Sequence, residues 1–136
     1  MIYLKLYVTA LAIFFSIDLL WLGVIAKNLY RDQIGFLMVD QIRWVPAILF
    51  YVLYLVGLVL FAIWPAHKES SASTALMYGA LFGFIAYATY DLTNLATLKG
   101  WPIKIVIYDM IWGAFISGAT ATLTYWISAH WKPFYR

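Results

Sequence analysis

Three aspartates, Asp18, Asp91 and Asp109, lie inside long apolar runs. An ionisable side chain at the centre of a membrane helix costs about 2.5–3.5 kcal/mol on insertion scales, so an acid retained there marks a site by default. Helical spacing gives each acid company. Trp21 follows Asp18 by three residues and Trp112 follows Asp109 by three, while Asn94 lies three after Asp91 and Tyr87 four before it. Indole, phenol and amide groups donate hydrogen bonds to a carboxylate, and the amide also accepts from a protonated acid or a ligand. Such a set can share a proton, hold a cation, or act as an acid or base in an apolar pocket. The candidate proton- or ligand-binding set is therefore Asp18, Asp91, Asp109, Asn94, Trp21, Trp112 and Tyr87. The competing account is that buried acids merely tie helices together through such bonds. Three acids at one depth weigh against it, because like charges in proximity disfavour joint ionisation unless a proton or a cation is shared.

Other chemistries are excluded or left without residues. The chain has no cysteine, which removes disulfides, thiolate metal sites and cysteine nucleophiles. Its two histidines, His67 and His130, fall in a polar loop and near the far chain end, so no zinc or haem site is expected. A hard divalent ion needs more oxygen ligands than three acids supply, so the expected metal set is empty and no cofactor is indicated. Phosphate loops, nucleophile elbows and metal-binding histidine motifs are missing. No lysine sits mid-membrane to hold a retinal Schiff base. Arg43, Lys99 and Lys104 are the nearest cations to the acids along the chain. Nine basic residues in total are too few for a nucleic-acid groove, so no nucleic-acid partner is expected.

The elements that must position these acids are membrane spans. A chain with 65% hydrophobic and 11% charged residues in 136 cannot hide its apolar surface as a soluble domain. Four runs reach the length needed to cross the hydrocarbon core: 3–26, 45–64, 74–98 and 103–128. The alternation of a barrel is absent, so an all-α bundle of four transmembrane helices in one domain is expected. Pro46 suits the first turn of the second helix. Trp64-Pro65 reads as its end, followed by a polar loop over 66–73, and Lys99–Pro102 reads as a tight turn. Trp44, Trp64, Trp101, Trp126 and Trp131 fall at helix ends like an interfacial belt. The first run lacks a cleavage site and reads as a retained span. Between the first two spans, 27–43 carries Tyr30, Ile34, Leu37, Met38 and Ile42 at three- and four-residue steps. That pattern predicts a short amphipathic helix in the interface, with Gly35 as a candidate break; a plain connector with anchoring aromatics explains the same residues.

Depth follows from direction. The first and third spans run one way and the fourth returns, which puts all three acids in one half of the membrane, roughly 9 to 12 Å from the helix ends. Gly79 and Gly83 on the third span, with Ala114 and Gly118 on the fourth, predict close helix approach in the other half. The expected shape is a bundle tight in one leaflet and open to a polar pocket in the other. Lys5, Lys68, Lys132 and Arg136 fall on the side of the termini and five basic residues on the opposite side, a balance that assigns no orientation.

The strings SIDLLWLGVIAKNLYR (16–31), AYATYDLTNLATLKGWP (86–102) and YDMIWG (108–113) resemble a family of small bacterial predicted membrane proteins of unknown function, over nearly the whole chain. That resemblance implies a bacterial inner-membrane location and a four-helix fold, and it brings no activity or catalytic residue. The chain is also similar in size to small multidrug exporters, four-helix dimers with a single Glu in the first helix; here Asp18 stands alone there and two further acids lie elsewhere. The leading expectation is proton- or cation-linked binding or transport of a small or amphiphilic ligand by a homodimer. Alternatives are a membrane-embedded enzyme or subunit acting on lipid or fatty acyl chains, and a purely structural or assembly protein.

Overall fold

A computed structural model describes residues 2–131. Five helices follow one another, with no strand among the described residues: α1 (Ile2–Ile25), α2 (Leu29–Ile34), α3 (Trp44–Glu69), α4 (Ala72–Thr97) and α5 (Ile103–Ser128). Four of them are long and apolar enough to cross a membrane, and the short α2 lies between the first two. The bundle's exterior is apolar, unlike that of a soluble protein, and its interior mixes apolar and polar side chains. Its most buried side chains include Asp91, Ser117, Thr120, Thr124 and Ser128, while Leu, Ile, Val and Phe crowd the outside, up to Val45 at 79% exposed. Lipid tolerates that exterior and water does not.

The second span runs five residues further than the sequence suggests. Pro65 does not end it; the chain continues helically through Glu69, and only Ser70 and Ser71 separate it from α4. A wide π turn over Val59–Ile63 immediately precedes the proline and relieves the clash that its ring makes with a carbonyl one turn back. Ser70 then takes a left-handed conformation (φ 50°), and Ser71 caps α4 by accepting from the Thr74 N–H at 3.2 Å. At the opposite membrane face Gly100, at φ 76°, makes the turn into α5.

The connector 27–43 is helical only over its first part. α2 stops at Ile34, Gly35 opens a single tighter turn, and Met38 is extended. Tyr30 and Ile34 pack on Trp101, Ile105 and Val106 at the start of α5, whereas Leu37, Met38 and Ile42 stay exposed and do not continue that face. The expected five-residue stripe is thus cut to its first two members by the break at Gly35.

α4 and α5 form the tightest pair in the fold. A Cβ on Gly79 would stand 2.8 Å from the Ser117 carbonyl oxygen, and one on Gly83 would collide with the Gly113 carbonyl and the Ser117 side chain. The partner surface is therefore Gly113, Ser117, Gly118 and Ala121; Ala114 points partly outward and takes no part in the close approach at Gly83. α3 meets α4 chiefly through Val59–Ile63 and diverges from it toward Trp44. The divergence leaves a gap between α3 and α4 at the level of the acids.

Candidate functional site

The hollow left by that divergence is where the acids lie. Asp18 on α1 and Asp109 on α5 line one cavity of about 210 Å³, with Tyr51 from α3 and Tyr30 from α2 closing over it. The Tyr51 hydroxyl donates to Asp18 Oδ2 at 2.9 Å, and the Tyr30 hydroxyl donates to Asp109 Oδ1 at 2.7 Å. Trp21 in turn donates its indole N–H to the Tyr30 oxygen at 3.1 Å. Trp21 begins a π turn at the end of α1, which swings its ring inward to stack on Trp112, centroids 4.3 Å apart and planes 10° from parallel.

The pairing crosses between helices. Each indole shares a helix face with its own aspartate, yet Trp21 serves Asp109 through Tyr30, and the Trp112 N–H faces Asp18 without closing a hydrogen bond of normal geometry. Tyr30 lies outside the spans. Burial first, and then the charge of Asp109, push its phenol well above the ordinary value, so it remains a donor.

Asp91 is fully buried on α4, and both its oxygens lack a hydrogen-bond partner. It interacts with Asp109 but does not line the cavity, so the acids form a pair, Asp91 with Asp109, and a third across the hollow at Asp18. They do not converge into one metal-binding group among the described residues. Tyr87 lines the cavity; Asn94 does not, and stands beside Tyr90. Among the described residues no basic side chain lines the hollow: Arg43, Lys99 and Lys104 are exposed, with Lys104 over the Tyr108 ring. A second, more apolar hollow of about 260 Å³ adjoins the first through Tyr87, Tyr90 and Asp109, and reaches the gap between α3 and α4 at Phe50 and Ala86.

Sequence reasoning missed Tyr30, Tyr51, Tyr90 and Trp101. Trp101, read as a belt residue, is 7% exposed and lines the cavity with its indole nitrogen unpartnered, because α2 folds over the turn that carries it. Tyr30 was visible only as one point on an amphipathic stripe. Nothing local marks Tyr51, whose partner lies 33 residues away. Lys132 and Arg136, which entered the charge balance, lie outside the described residues.

Comparison with known proteins gives one result. No curated protein and no solved structure matches the chain. A family model described as "Predicted membrane protein (DUF2177)" matches residues 3–126, a stretch that contains all three acids and the whole helical bundle up to the last turn of α5. On that match the chain belongs to this family of predicted membrane proteins.

Proposed function

We propose that the hollow between Asp18 and Asp109 is an exchangeable proton or cation site, linked to binding or transport of a small or amphiphilic ligand. One observation carries the reading: carboxyl groups from two different spans face the same cavity, and among the described residues no basic side chain lines it. Charge buried in an apolar surround needs a counter-charge or a proton. Here that partner must arrive from outside the cavity wall. Aromatic rings supply most of the remaining lining, with Leu22, Ile34 and Ile105 between them, a surface that accepts cations over the ring faces and apolar groups beside them. Asp91, fully buried with both oxygens unpartnered, adds a third carboxyl group beside the cavity. The gap at Phe50 and Ala86 offers such a ligand a way in from lipid. The reading places the protein in the bacterial inner membrane. It also includes a homodimer, since a single four-helix bundle is thin for a complete pathway.

In proteoliposomes that are acidic inside, so that protons leave as cations enter, the wild-type chain should take up hydrophobic cations faster than protein-free vesicles. Asp109→Asn should reduce that uptake at least tenfold while leaving the thermal midpoint in detergent within a few degrees. Uptake by Asp109→Asn at the wild-type rate overturns the reading.

The apolar second hollow favours one alternative, in which an acyl chain occupies it and Asp109 serves as acid or base in a lipid-modifying enzyme or subunit. A lipid that copurifies in fixed ratio and is chemically altered in a deletion strain decides for that reading.

A further inference from the structure

Beyond Asp109, which lines the cavity, the interior of α5 carries a row of small and polar residues that the cavity does not use. Asp109, Gly113, Ser117, Thr120, Thr124 and Ser128 succeed one another by four, four, three, four and four, and all are buried. They therefore follow one inward face for about 28 Å, close to the thickness of a hydrocarbon core.

The hydroxyls of this row behave unlike others in the bundle. Threonines in membrane helices ordinarily return their proton to the carbonyl one turn back. Thr9, Thr89, Thr97 and Thr122 do so, at 2.7 to 2.8 Å. Thr120 and Thr124 are fully buried and leave their hydroxyls unpartnered. Both ends of the row are connected. Tyr87, in the wall of the acid cavity, has its ring centroid 6.2 Å from that of Tyr54, and the Tyr54 hydroxyl is hydrogen-bonded to Ser117. At the other end the Ser128 hydroxyl lies 2.6 Å from His67 Nε2 and donates to the Thr124 carbonyl at 2.6 Å. His67 is half-buried near the membrane face where α3 ends, with Lys68 and Glu69 following it and the Tyr125 ring packed against it.

We infer that this row is a proton route, in which waters held by the Thr120 and Thr124 hydroxyls connect Ser117 to Ser128 and His67. Oxygens one helical turn apart are about 6 Å apart along the axis, too far for a direct bond and a span that one or two waters bridge, depending on the hydroxyl rotamers. Each transfer breaks an O–H bond on one oxygen and forms one on the next, and every hydroxyl and water regains its proton from its other neighbour. Only one proton is displaced overall, between the Tyr54–Ser117 pair and the His67 face, and the route requires waters in the acid cavity to carry it between the carboxyl groups and the Tyr54 hydroxyl. The Ser128 proton must turn from the Thr124 carbonyl to His67 once per passage, a rotation that a hydroxyl makes freely. The inference rests on the exchangeable acids proposed above and adds the path by which they reach the opposite face.

The test is proton flux into vesicles loaded with a pH-sensitive dye and driven by a potassium diffusion potential. The double variant Thr120→Val/Thr124→Val keeps the shape of both side chains and removes both hydroxyls; Thr120→Ser/Thr124→Ser keeps the hydroxyls and alters the shape. Wild type and the serine variant should conduct above protein-free vesicles, with flux at least tenfold lower in the valine variant and in Asp109→Asn. Should the valine variant fail to fold, Thr124→Val against Thr124→Ser makes the same comparison. Full flux in the valine variant with loss in Asp109→Asn overturns the route and leaves the acid site standing. Wild-type flux no greater than that of empty vesicles, or equal flux in every variant, overturns both.

Discussion

At the level of single residues, the site is held by phenols rather than by cations. Tyr30 gives its proton to Asp109 and receives one from Trp21, so one oxygen joins α1, α2 and α5. Removing it leaves a buried carboxyl oxygen and an indole N–H unpaired, and each such loss costs about 1–3 kcal/mol. Tyr30→Phe should therefore lower the thermal midpoint in detergent by several degrees. It should also shift tryptophan emission, because Trp21 loses its acceptor beside the stacked Trp112. Tyr108→Phe, an exposed neighbour of Asp109, should do neither. Equal effects of the two substitutions would show that Tyr30 is only packing. The acids themselves stand out in the sequence because a carboxyl group in an apolar run is costly to place there. Their tyrosine partners do not. Eleven tyrosines are spread along the chain, and a tyrosine at a membrane boundary is ordinary. Tyr30 and Asp109 are 79 residues apart, so nothing in either neighbourhood announces the pair.

Helices follow a different logic. Spans were recognisable because length and absence of charge suffice to define them, without knowing which side faces in. Facing is harder, since these helices are apolar all round and no stripe separates lipid from neighbour. Small residues gave the better clue: Gly79 and Gly83 correctly pointed to close approach on α4, although on α5 Gly113 and not Ala114 receives Gly83. Pro65 misled because a proline normally ends a helix, and the π turn that accommodates it has no signature in the residues Val59–Ile63. Two glycine substitutions measure the contrast. Gly83→Ala should destabilise the bundle by about 1–3 kcal/mol or more, through overpacking against the Gly113 carbonyl, which cannot move without the helix. Gly23→Ala meets nothing within 4 Å and should stabilise by about 0.5–1 kcal/mol, since glycine in a helix gives up more chain entropy than alanine. Unfolding in mixed micelles with rising SDS reads both. A neutral or stabilising Gly83→Ala would mean that α4 and α5 do not meet as described.

For the molecule as a whole, the consequential feature is a set of buried polar groups within an apolar core, joined to an incomplete wall. α4 and α5 seal against each other along the half of the bundle away from the acids, while α3 leans off α4 in the other half. Lipid is then the medium next to the acid-bearing hollow at Phe50 and Ala86, and a ligand using that gap must first dissolve in the bilayer. The absence of cysteine makes the geometry directly measurable by single thiols. Ala86→Cys lies in the gap and Ala121→Cys in the sealed α4–α5 contact, where the native side chain is fully buried. In liposomes at mildly alkaline pH, a membrane-permeant maleimide should label Cys at position 86 at least tenfold faster than at 121. A charged, impermeant maleimide should label neither at a comparable rate, because the route to position 86 runs through hydrocarbon. Rapid labelling of 86 by the impermeant reagent would instead mean that the hollow opens to water, and the lipid-side gap would then be a consequence of the opening rather than the way in. Protection of position 86 from the permeant reagent by a saturating hydrophobic cation would tie the gap to occupancy of the acid site, since Tyr87, Tyr90 and Asp109 line both hollows.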